Sequence, residues 1–588
     1  MEKKQCSFIV LKFGGTSVSS QSNWNKIQHI LQQRLHQEKG GAGVKIIVVT
    51  SALSGVTGQL EQLLHLAVQQ NFQEEWKQLQ KKHWSLCQDL GLMDDPHLHQ
   101  DLTHLFKEIE SLCLGISLIK EFGPRLQARM MSYGEILSTK IGASYLRSQG
   151  LSVHWQDARE VLMAQSADNE QVNPWRSYLS ASCPFHPDQN LQERWSLHII
   201  ESIILTQGFI ASNKQGECVL LGRGGSDTSA AYLAAKLSAK RCEIWTDVPG
   251  LFTANPRLIP EARLLKQVNS LEAQEMASLG SKVLHPRCLA PLRPQKIPLV
   301  VYSTERPELE GTWVIETTKE GQGQVKTLSL RQGITLLSVD NVHMWQEVGF
   351  LADVFSVFKK HGLSVDLLST SESNISLTLD PLTNVLRPEK LQEFCRELEH
   401  YGQLSIINPC AVISIVGENI RSILHRIGPL FKHFEEKHIY MLTQAANDLN
   451  LSLVLEEGEA INLLQKIHQA LFHDVAQMDL FGPRWNELYP QSGHSTGVQN
   501  ASGQNKGSIG HEVWWKQKRG ELLQLAQGKN LELPLYVYDE KCLLDHWQSL
   551  QSLGSIKKIF YAMKANSNPE ILRTFLRVGG NFECVSQG

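Results

Sequence analysis

The stretch FIVLKFGGTSVSS, residues 8–20, is an apolar run that ends in two glycines and a cluster of hydroxyl side chains. Such a run, followed by a glycine turn and a helix start, is typical of a strand in a parallel sheet covered on both faces. Paired glycines let backbone N–H groups approach an anion, and Thr16 and Ser17 are predicted to cap the next helix. Lys12 precedes the glycines, whereas the lysine of a Walker A loop follows them, so that loop is excluded. Alone, the pattern favours an ordinary glycine turn.

The same arrangement of strand, small-residue turn and helix recurs at residues 46–60 and 219–239. Open α/β sheets bind ligands where such turns meet at the carboxyl ends of strands, so one shared site is expected. In the third turn Arg223 can bind a carboxylate through two parallel hydrogen bonds, which indicates an anionic substrate. Ser226 and Asp227 lie at the start of the helix. For Asp227 an N-cap and a catalytic role both remain open.

Composition excludes several classes of protein. The 588 residues carry 57 basic and 60 acidic side chains, without a basic block that would bind nucleic acid or an anionic membrane. The apolar start is interrupted by Lys12, and no stretch is long enough to span a bilayer, so a cytoplasmic location is expected. Eleven scattered cysteines without a C-x-x-C pair argue against disulfides and zinc. His97, His99 and His104 lack the closed ligand set of a zinc site, so no metal site is predicted.

An internal repeat follows the α/β region. Residues 358–379 match residues 434–455 without a gap, and the apolar positions stay in step. Each copy is predicted to form strand, helix, strand, turn and strand, although coincidental β patterning remains an alternative. The predicted domains are a catalytic domain at 1–316, small modules at 317–395 and 396–472, a flexible Gly/Ser/Asn-rich linker at 473–511, and a further segment at 512–588.

Five segments, taken in order, resemble the signature segments of aspartate kinases in the amino-acid kinase family. They are KFGGTSV, MSYGEILS, GRGGSDTSAA, WTDVPGLFTANPR and GSKVLHPR, and the resemblance covers residues 8–472. It implies the amino-acid kinase fold and transfer of a phosphoryl group from Mg-ATP to the side-chain carboxylate of aspartate. Such a transfer depends on alignment and on cations placed where charge develops. Magnesium would arrive with the nucleotide phosphates.

The resemblance also implies roles for individual residues. Lys12, with the amides of Gly14 and Gly15, would hold the transferring phosphoryl group, Lys282 would reach the nucleotide phosphates, and Asp227 would orient the lysines or the metal–nucleotide. The substrate aspartate would be bound by Ser51, Glu135, Arg223 and Ser226, with Glu135 taking its ammonium and Arg223 its α-carboxylate. The nucleotide would be bound by Gly14, Gly15, Thr16, Ser17, Thr246, Asp247, Arg257 and Lys282. For Lys282 and Glu135 in isolation, a solvated surface charge is the alternative.

The two copies of the repeat resemble the ACT modules of lysine-sensitive aspartate kinases. In the first copy, free amides at a helix start and the acidic side chains favour a cationic amino acid. The predicted lysine site comprises Met344, Gly349, Phe350, Leu351, Asp366, Ser371 and Glu372. Leu442 replaces Asp366 in the second copy, which is therefore expected to act as a sheet partner, with the modules joining a homodimer or larger assembly. A purely structural role for both copies remains the alternative.

The segment from 512 onward resembles the beginning of a diaminopimelate decarboxylase, in LPLYVYDEKCL, IFYAMKANSNPEIL and GGNFECVSQG. In that family pyridoxal phosphate forms a Schiff base with the lysine of Y-A-x-K-A-N, here Lys564. A closed (β/α)₈ barrel needs about 250 residues, so this segment is expected to be an incomplete part of a decarboxylase barrel and inactive as it stands. The resemblance implies a bifunctional protein that joins the first and last steps of lysine synthesis.

Two other functions are kept open by the sequence. One is an amino-acid kinase acting on glutamate or acetylglutamate, against which GRGGSDTSAA and the paired modules argue. The other is a lysine-sensing protein whose kinase has decayed, against which the presence of Lys12, Glu135, Arg223, Asp227 and Lys282 argues.

Overall fold

The computed structural model describes residues 6–38, 43–165, 174–281, 283–316, 323–344, 347–381, 384, 388–423, 428, 438–472, 480–489, 539–551, 558–562, 566 and 568–583. They fall into two compact units, Met1–Ser492 and Gly493–Gly588. Every helix in these ranges is too short or too polar to cross a bilayer.

The first unit is built on a sheet of eight strands. They are β1 Ser7–Phe13, β2 Val44–Thr50, β3 Val153–Gln156, β4 Ile203–Gln207, β7 Cys242–Thr246, β9 Gln267–Asn269, β10 Leu299–Ser303 and β11 Thr312–Ile315. Their order is β3-β4-β2-β1-β7-β10-β11-β9, and all neighbours are parallel except β10 and β11. Short pieces β5 Ile210–Ser212, β6 Cys218–Leu220 and β8 Arg263–Leu265 lie outside it. The predicted mostly parallel α/β sheet is confirmed.

Both faces of this sheet are covered, as the apolar run at residues 8–11 of β1 predicted. Phe8 and Val10 belong to one hydrophobic cluster, whereas Ile9, Leu11 and Phe13 belong to another. All five side chains are buried, which follows from the two-residue period of a strand between two helical layers. The helices of this region are α1 Gln21–Gln37, α2 Val56–Val68, α3 Gln73–Asp89, α4 Pro96–Ile119, α5 Pro124–Ser148, α6 Pro174–Leu179, α7 Gln189–Leu197, α8 Gly225–Lys236 and α9 Ser270–Ser278.

The repeat forms a second, antiparallel sheet of six strands. It contains β12 Gln324–Asp340, β13 Leu368–Thr370, β14 Asn374–Leu379, β15 Gln403–Glu418, β16 Ile439–Thr443 and β17 Asn450–Glu456. The order is β13-β14-β12-β15-β17-β16, so the long strands β12 and β15 join the two copies. The helices are α10 Phe350–His361, α11 Pro388–Glu399 and α12 Glu457–Phe472. Strands β14 and β17 occupy matching positions of the repeat, which indicates two copies of one α+β module.

Part of the predicted linker is ordered, which corrects its N-terminal boundary. Residues Phe481–Arg484 form strand β18, which pairs antiparallel with β8, and Trp485–Leu488 form the one-turn helix α13. Phe481 and Leu488 are buried against the catalytic region, and Trp485 meets Phe252 edge to face. These apolar side chains lie upstream of the Gly/Ser/Asn-rich stretch, which is why composition averaged over 473–511 concealed them. The remainder of the predicted linker lies outside the described residues.

The second unit contains helix α14 Glu540–Gln551, strand β19 Phe560–Ala562, helix α15 Pro569–Arg577 and strand β20 Asn581–Glu583. The two strands run parallel, so β19, α15 and β20 make a βαβ unit. Trp547, Ile571 and Phe575 form its small core. The predicted Schiff-base residue, Lys564, lies outside the described residues.

Candidate functional site

A cavity of about 590 Å³ lies at the carboxyl ends of β1 and β2, beside the first turn of α8. The strands are parallel, so residues distant in sequence meet at this edge of the sheet. Seven of the residues predicted from the sequence line the cavity, namely Lys12, Gly15, Ser51, Glu135, Arg223, Ser226 and Asp227.

An ion pair between Lys12 and Asp227 lies at the base of the cavity. Lys12 Nζ is 2.5 Å from Asp227 Oδ1, and the two side chains are only 12% and 14% exposed. Asp227 is the third residue of α8, whose N-cap is Gly224 and receives no side-chain capping bond. The N-cap interpretation of Asp227 is therefore wrong. The carboxylate instead holds a lysine cation at the end of β1, near the positive end of the helix dipole.

Glu135 enters the cavity from the middle of α5. It is buried, and its Oε1 accepts a hydrogen bond from the backbone N–H of Ala52 at 3.3 Å. The glycine before it makes this approach possible, because a Cβ on Gly134 would lie 2.9 Å from the Ala52 Cβ. Oε2 of Glu135 is buried and has no hydrogen-bond partner among the described residues. A solvated surface carboxylate, the alternative left by the sequence, is excluded.

Burial controls the protonation of Glu135. Loss of hydration raises the pKa of this carboxyl to about 8, and the hydrogen bond from the Ala52 amide offsets only part of that shift. At neutral pH the empty site therefore retains a proton on Glu135 in most molecules. A ligand that brings a positive charge within about 4–6 Å would favour the ionised form.

The other predicted substrate ligands stand at the opposite wall. Ser51 Oγ donates to Ser226 Oγ at 3.0 Å, which joins the turn after β2 to the first turn of α8. Arg223 is exposed and carries no ion pair within the described ranges. The cavity thus presents a buried carboxyl group and a cation that has no ion-pair partner in the described part of the chain, which suits a ligand carrying both a carboxylate and an ammonium.

The glycine turn after β1 only partly follows the sequence prediction. Gly15 lines the cavity, and a Cβ there would lie 2.8 Å from the Ala52 carbonyl oxygen. Residues Thr16–Val18 form a turn of 3₁₀ helix, and Ser17 Oγ is hydrogen-bonded to Thr304 Oγ1 at 3.0 Å. The cap of α1 is Ser20, which accepts from the Asn23 amide. The expected cap at Thr16 and Ser17 is therefore wrong, because the 3₁₀ turn delays the helix.

Three of the residues predicted to bind the nucleotide form their own group at the end of β7. Thr246 Oγ1 donates to Asp247 Oδ1 at 3.0 Å, and Arg257 Nη2 lies 3.4 Å from Asp247 Oδ2. They do not belong to the cavity lining, but β7 pairs with β1, with Phe13 opposite Trp245. Thr246 therefore ends its strand beside Gly14. A further predicted nucleotide residue, Lys282, lies outside the described residues.

Sequence reasoning missed two residues that shape the third turn. Gly224 has φ +69°, and any Cβ there would overlap the ring of His285. Arg287 donates to the Leu221 carbonyl oxygen at 2.6 Å and to that of Ala181 at 3.0 Å. The two missed residues, His285 and Arg287, belong to the quoted segment GSKVLHPR, from which only Lys282 was selected. Neither contact could be found from sequence, because each crosses more than 60 positions.

A second group missed by the sequence lies on α5. Gln127 and Met131 also line the cavity and precede Glu135 by eight and four residues, so one helix face carries all three. Gln127 Nε2 donates to Glu61 Oε1 at 3.1 Å, which places a second carboxylate in the lining. The four-residue spacing in the sequence was a signal that could have identified them.

In the first copy of the repeat, Asp366 has an internal partner. Its Oδ1 lies 3.8 Å from Arg331 Nη1, and the same nitrogen lies 3.5 Å from Asp380 Oδ2. Asp366 Oδ2 also accepts from the backbone N–H of Asp380 at 2.8 Å. Burial raises the pKa of the Asp366 carboxyl, although Arg331 opposes the shift. A cationic effector at Asp366 would therefore have to share or displace Arg331.

The other predicted effector residues lie in two places, around the start of α10 and in the turn between β13 and β14. Helix α10 begins at Phe350 after Gly349, which has φ +94°. Phe350 is buried in the module core and offers only its backbone, whereas Leu351, Ser371 and Glu372 are exposed. Met344 packs against the same core, with part of its surface accessible.

Comparison with known proteins identifies the class. The pattern of the amino acid kinase family matches residues 7–303. The chain belongs to the amino acid kinase family.

Within that family the chain is similar to aspartokinases over most of its length. It is 31% identical to lysine-sensitive aspartokinase 3 of Escherichia coli, covering 79% of this chain and 99% of that protein. It is 30% identical to aspartokinase 1 of Arabidopsis thaliana, covering 81% and 82%. The structure of E. coli aspartokinase III with aspartate and ADP aligns with a TM-score of 0.66 at 30% identity, covering 79% and 100%. That of the same enzyme with lysine and aspartate aligns with a TM-score of 0.64 at 30% identity, covering 79% and 99%.

Proposed function

We propose that this protein is an ATP-dependent aspartate kinase, which converts ATP and L-aspartate to ADP and 4-phospho-L-aspartate. One observation carries the proposal: a single cavity contains the Lys12–Asp227 ion pair, the exposed Arg223 and the buried Glu135. Of the two Glu135 oxygens, Oε2 has no hydrogen-bond partner among the described residues. An amino acid with a second carboxylate matches these groups in charge and number.

Each group then has a task. Glu135, once ionised, binds the ammonium of aspartate, and Arg223 binds its α-carboxylate through two parallel hydrogen bonds. The side-chain carboxylate of aspartate, which is the phosphoryl acceptor, is then directed toward Lys12. Lys12 stabilises the charge that develops on the transferring phosphoryl group, and Asp227 keeps the lysine in place. Ser51 and Ser226 supply hydroxyl groups to the same ligand.

The nucleotide would approach along the neighbouring strand. Thr246, Asp247 and Arg257 stand at the end of β7, directly beside the glycine turn that follows β1. Mg²⁺ would enter with the phosphates, and Lys282 would complete the phosphate contacts. Support comes from the E. coli relative, which is described as a complex with aspartate and ADP and aligns over its full length.

The repeat is proposed to make the kinase sensitive to lysine, the end product of its pathway. Supporting observations are the acidic side chains of Asp366 and Asp380, which share the Arg331 guanidinium, and the helix start after Gly349. Also in support, the E. coli relative is named as lysine-sensitive and has been described with bound lysine. Assembly through the modules remains a prediction.

The second unit is proposed to belong to a diaminopimelate decarboxylase, which forms lysine and CO₂ from meso-diaminopimelate with pyridoxal phosphate on Lys564. The parallel βαβ arrangement of β19, α15 and β20 supports this, because (β/α)₈ barrels are made of such units. The aspartokinases described above align with about four-fifths of the chain.

A coupled assay of ADP release tests the proposed kinase directly. The full chain is supplied with Mg-ATP and either aspartate or glutamate, and lysine or threonine is then titrated. We expect turnover with aspartate and inhibition by lysine. Turnover confined to glutamate would refute the assigned substrate, and indifference to millimolar lysine would refute the assigned regulation.

A further inference from the structure

The segment 246–257, which carries the proposed nucleotide residues Thr246, Asp247 and Arg257, is hydrogen-bonded to the repeat region. Thr253 lies between Asp247 and Arg257 and is completely buried. Its backbone N–H donates to the Arg263 carbonyl oxygen at 2.9 Å, and its own carbonyl oxygen accepts from the Leu328 N–H at 2.8 Å. Leu328 belongs to β12, the strand that enters the six-stranded sheet.

The side chain of Thr253 contacts the second copy of the repeat. Thr253 Oγ1 lies 2.9 Å from Nε2 of His468, which is buried on α12. The same hydroxyl accepts a hydrogen bond from the Arg263 N–H at 2.9 Å, so its proton is available to be donated to His468. Burial lowers the pKa of His468 to about 4, so at neutral pH the ring is uncharged and Nε2 can accept.

Helix α12 makes another contact on the same side. Gln465, one turn before His468, donates from Nε2 to the Leu258 carbonyl oxygen at 3.4 Å. The two contacts bracket Arg257, which itself reaches Asp247. One face of α12 therefore fixes the backbone on either side of Arg257, the residue that pairs with Asp247.

We propose that His468 is a positioning residue for the nucleotide, acting through Thr253 on the segment 246–257. This assignment rests on the proposed use of ATP. It gives the second copy of the repeat, which has Leu442 where the first copy has Asp366, a role of its own: it orders the nucleotide segment instead of binding an effector.

The size of the effect follows from the hydrogen-bond arrangement. Replacing Thr253 by valine keeps the shape but removes the hydroxyl that bonds to the Arg263 N–H and to His468 Nε2. Loss of these buried hydrogen bonds is shared between folding and ligand binding. Nucleotide binding is expected to weaken about tenfold.

The experiment measures binding of Mg-ADP to the full chain by calorimetry, with Thr253→Val and His468→Leu compared against wild type. Each has a matched control at the same site: Thr253→Ser retains the hydroxyl, and His468→Gln retains an acceptor. Lys466→Ala alters the exposed face of α12. We expect about tenfold weaker ADP binding in the first two, within twofold of wild type in the three controls, and an unchanged KM for aspartate.

The outcomes separate the two levels of the proposal. Unchanged ADP affinity in Thr253→Val and His468→Leu, or a smaller active fraction at unchanged affinity, would overturn the positioning role. If Thr253→Val does not fold, the pair at His468 decides the question. Wild-type binding of ADP without turnover of aspartate would refute the proposed acceptor but leave the positioning test intact, whereas absence of ADP binding would refute the proposed kinase itself.

Discussion

Protonation of Glu135 makes the strongest quantitative prediction, because the aspartate ammonium can be bound only when this buried carboxyl gives up its proton. With a pKa of about 8, Glu135 is protonated in most empty molecules at pH 7. Binding of aspartate at pH 7 should therefore release about 0.9 proton from this group, and at pH 8 about 0.5.

The same equilibrium sets the pH dependence of affinity. A carboxyl whose pKa is raised favours the empty site at low pH, so aspartate must bind more tightly as pH rises toward 8 and then level off. Between pH 6.5 and pH 8.5 the apparent Kd should fall about 25-fold, which is equivalent to about 1.9 kcal/mol.

The perturbation that tests this is Glu135→Gln, which keeps the shape and an acceptor for the Ala52 amide. It cannot ionise, so it should bind aspartate weakly and with little pH dependence. Calorimetry in two buffers of different ionisation enthalpy measures the protons released per aspartate. The difference between wild type and Glu135→Gln isolates the contribution of this group from that of other titrating groups.

Two results would refute the reasoning. One is an aspartate affinity in wild type that does not change between pH 6.5 and pH 8.5. The other is a proton release in Glu135→Gln equal to that of wild type, because the released proton would then come from elsewhere.

Lys12→Ala should lower kcat by about 10²-fold or more if the lysine stabilises transition-state charge, and a change confined to KM would contradict that role. Asp366→Asn keeps the acceptor for the Asp380 amide but loses the charge, so the lysine concentration for half-inhibition should rise at least about tenfold, with Leu442→Asn in the second copy as the unaffected control. Arg34→Met removes one of the cations that pair with the fully buried Glu243, whose Oε1 is 2.9 Å from Arg34 Nε. The free energy of unfolding, measured in urea, should therefore fall by about 3 kcal/mol. Lys240→Ala breaks only an exposed pair and should cost less than about 1 kcal/mol; equal losses would contradict the burial argument.

Much of the fold was accessible from sequence because it depends on local patterns. The apolar run at residues 8–11 predicted a strand covered on both faces, and the constant offset between residues 358–379 and 434–455 predicted paired modules. The approximate position of the candidate site followed as well, since parallel strands bring their carboxyl ends to one edge.

Other features depend on contacts between distant residues. The position of Asp227 at the predicted helix start suggested a cap, but in the structure Asp227 pairs with Lys12, 215 positions away. Phe481 and Trp485 belong to an ordered strand and turn because β8 offers them a partner. Composition near a boundary carries no information about such a partner.

By itself the sequence determined which residues end strands, which turns are rich in glycine, and which segments repeat, because strand period and turn chemistry act over a few residues. Only the tertiary structure decided that Glu135 is buried with a raised pKa, that Arg331 faces Asp366, and that His468 holds Thr253. These properties arise from burial and from distances across the fold, to which neighbours in sequence contribute little.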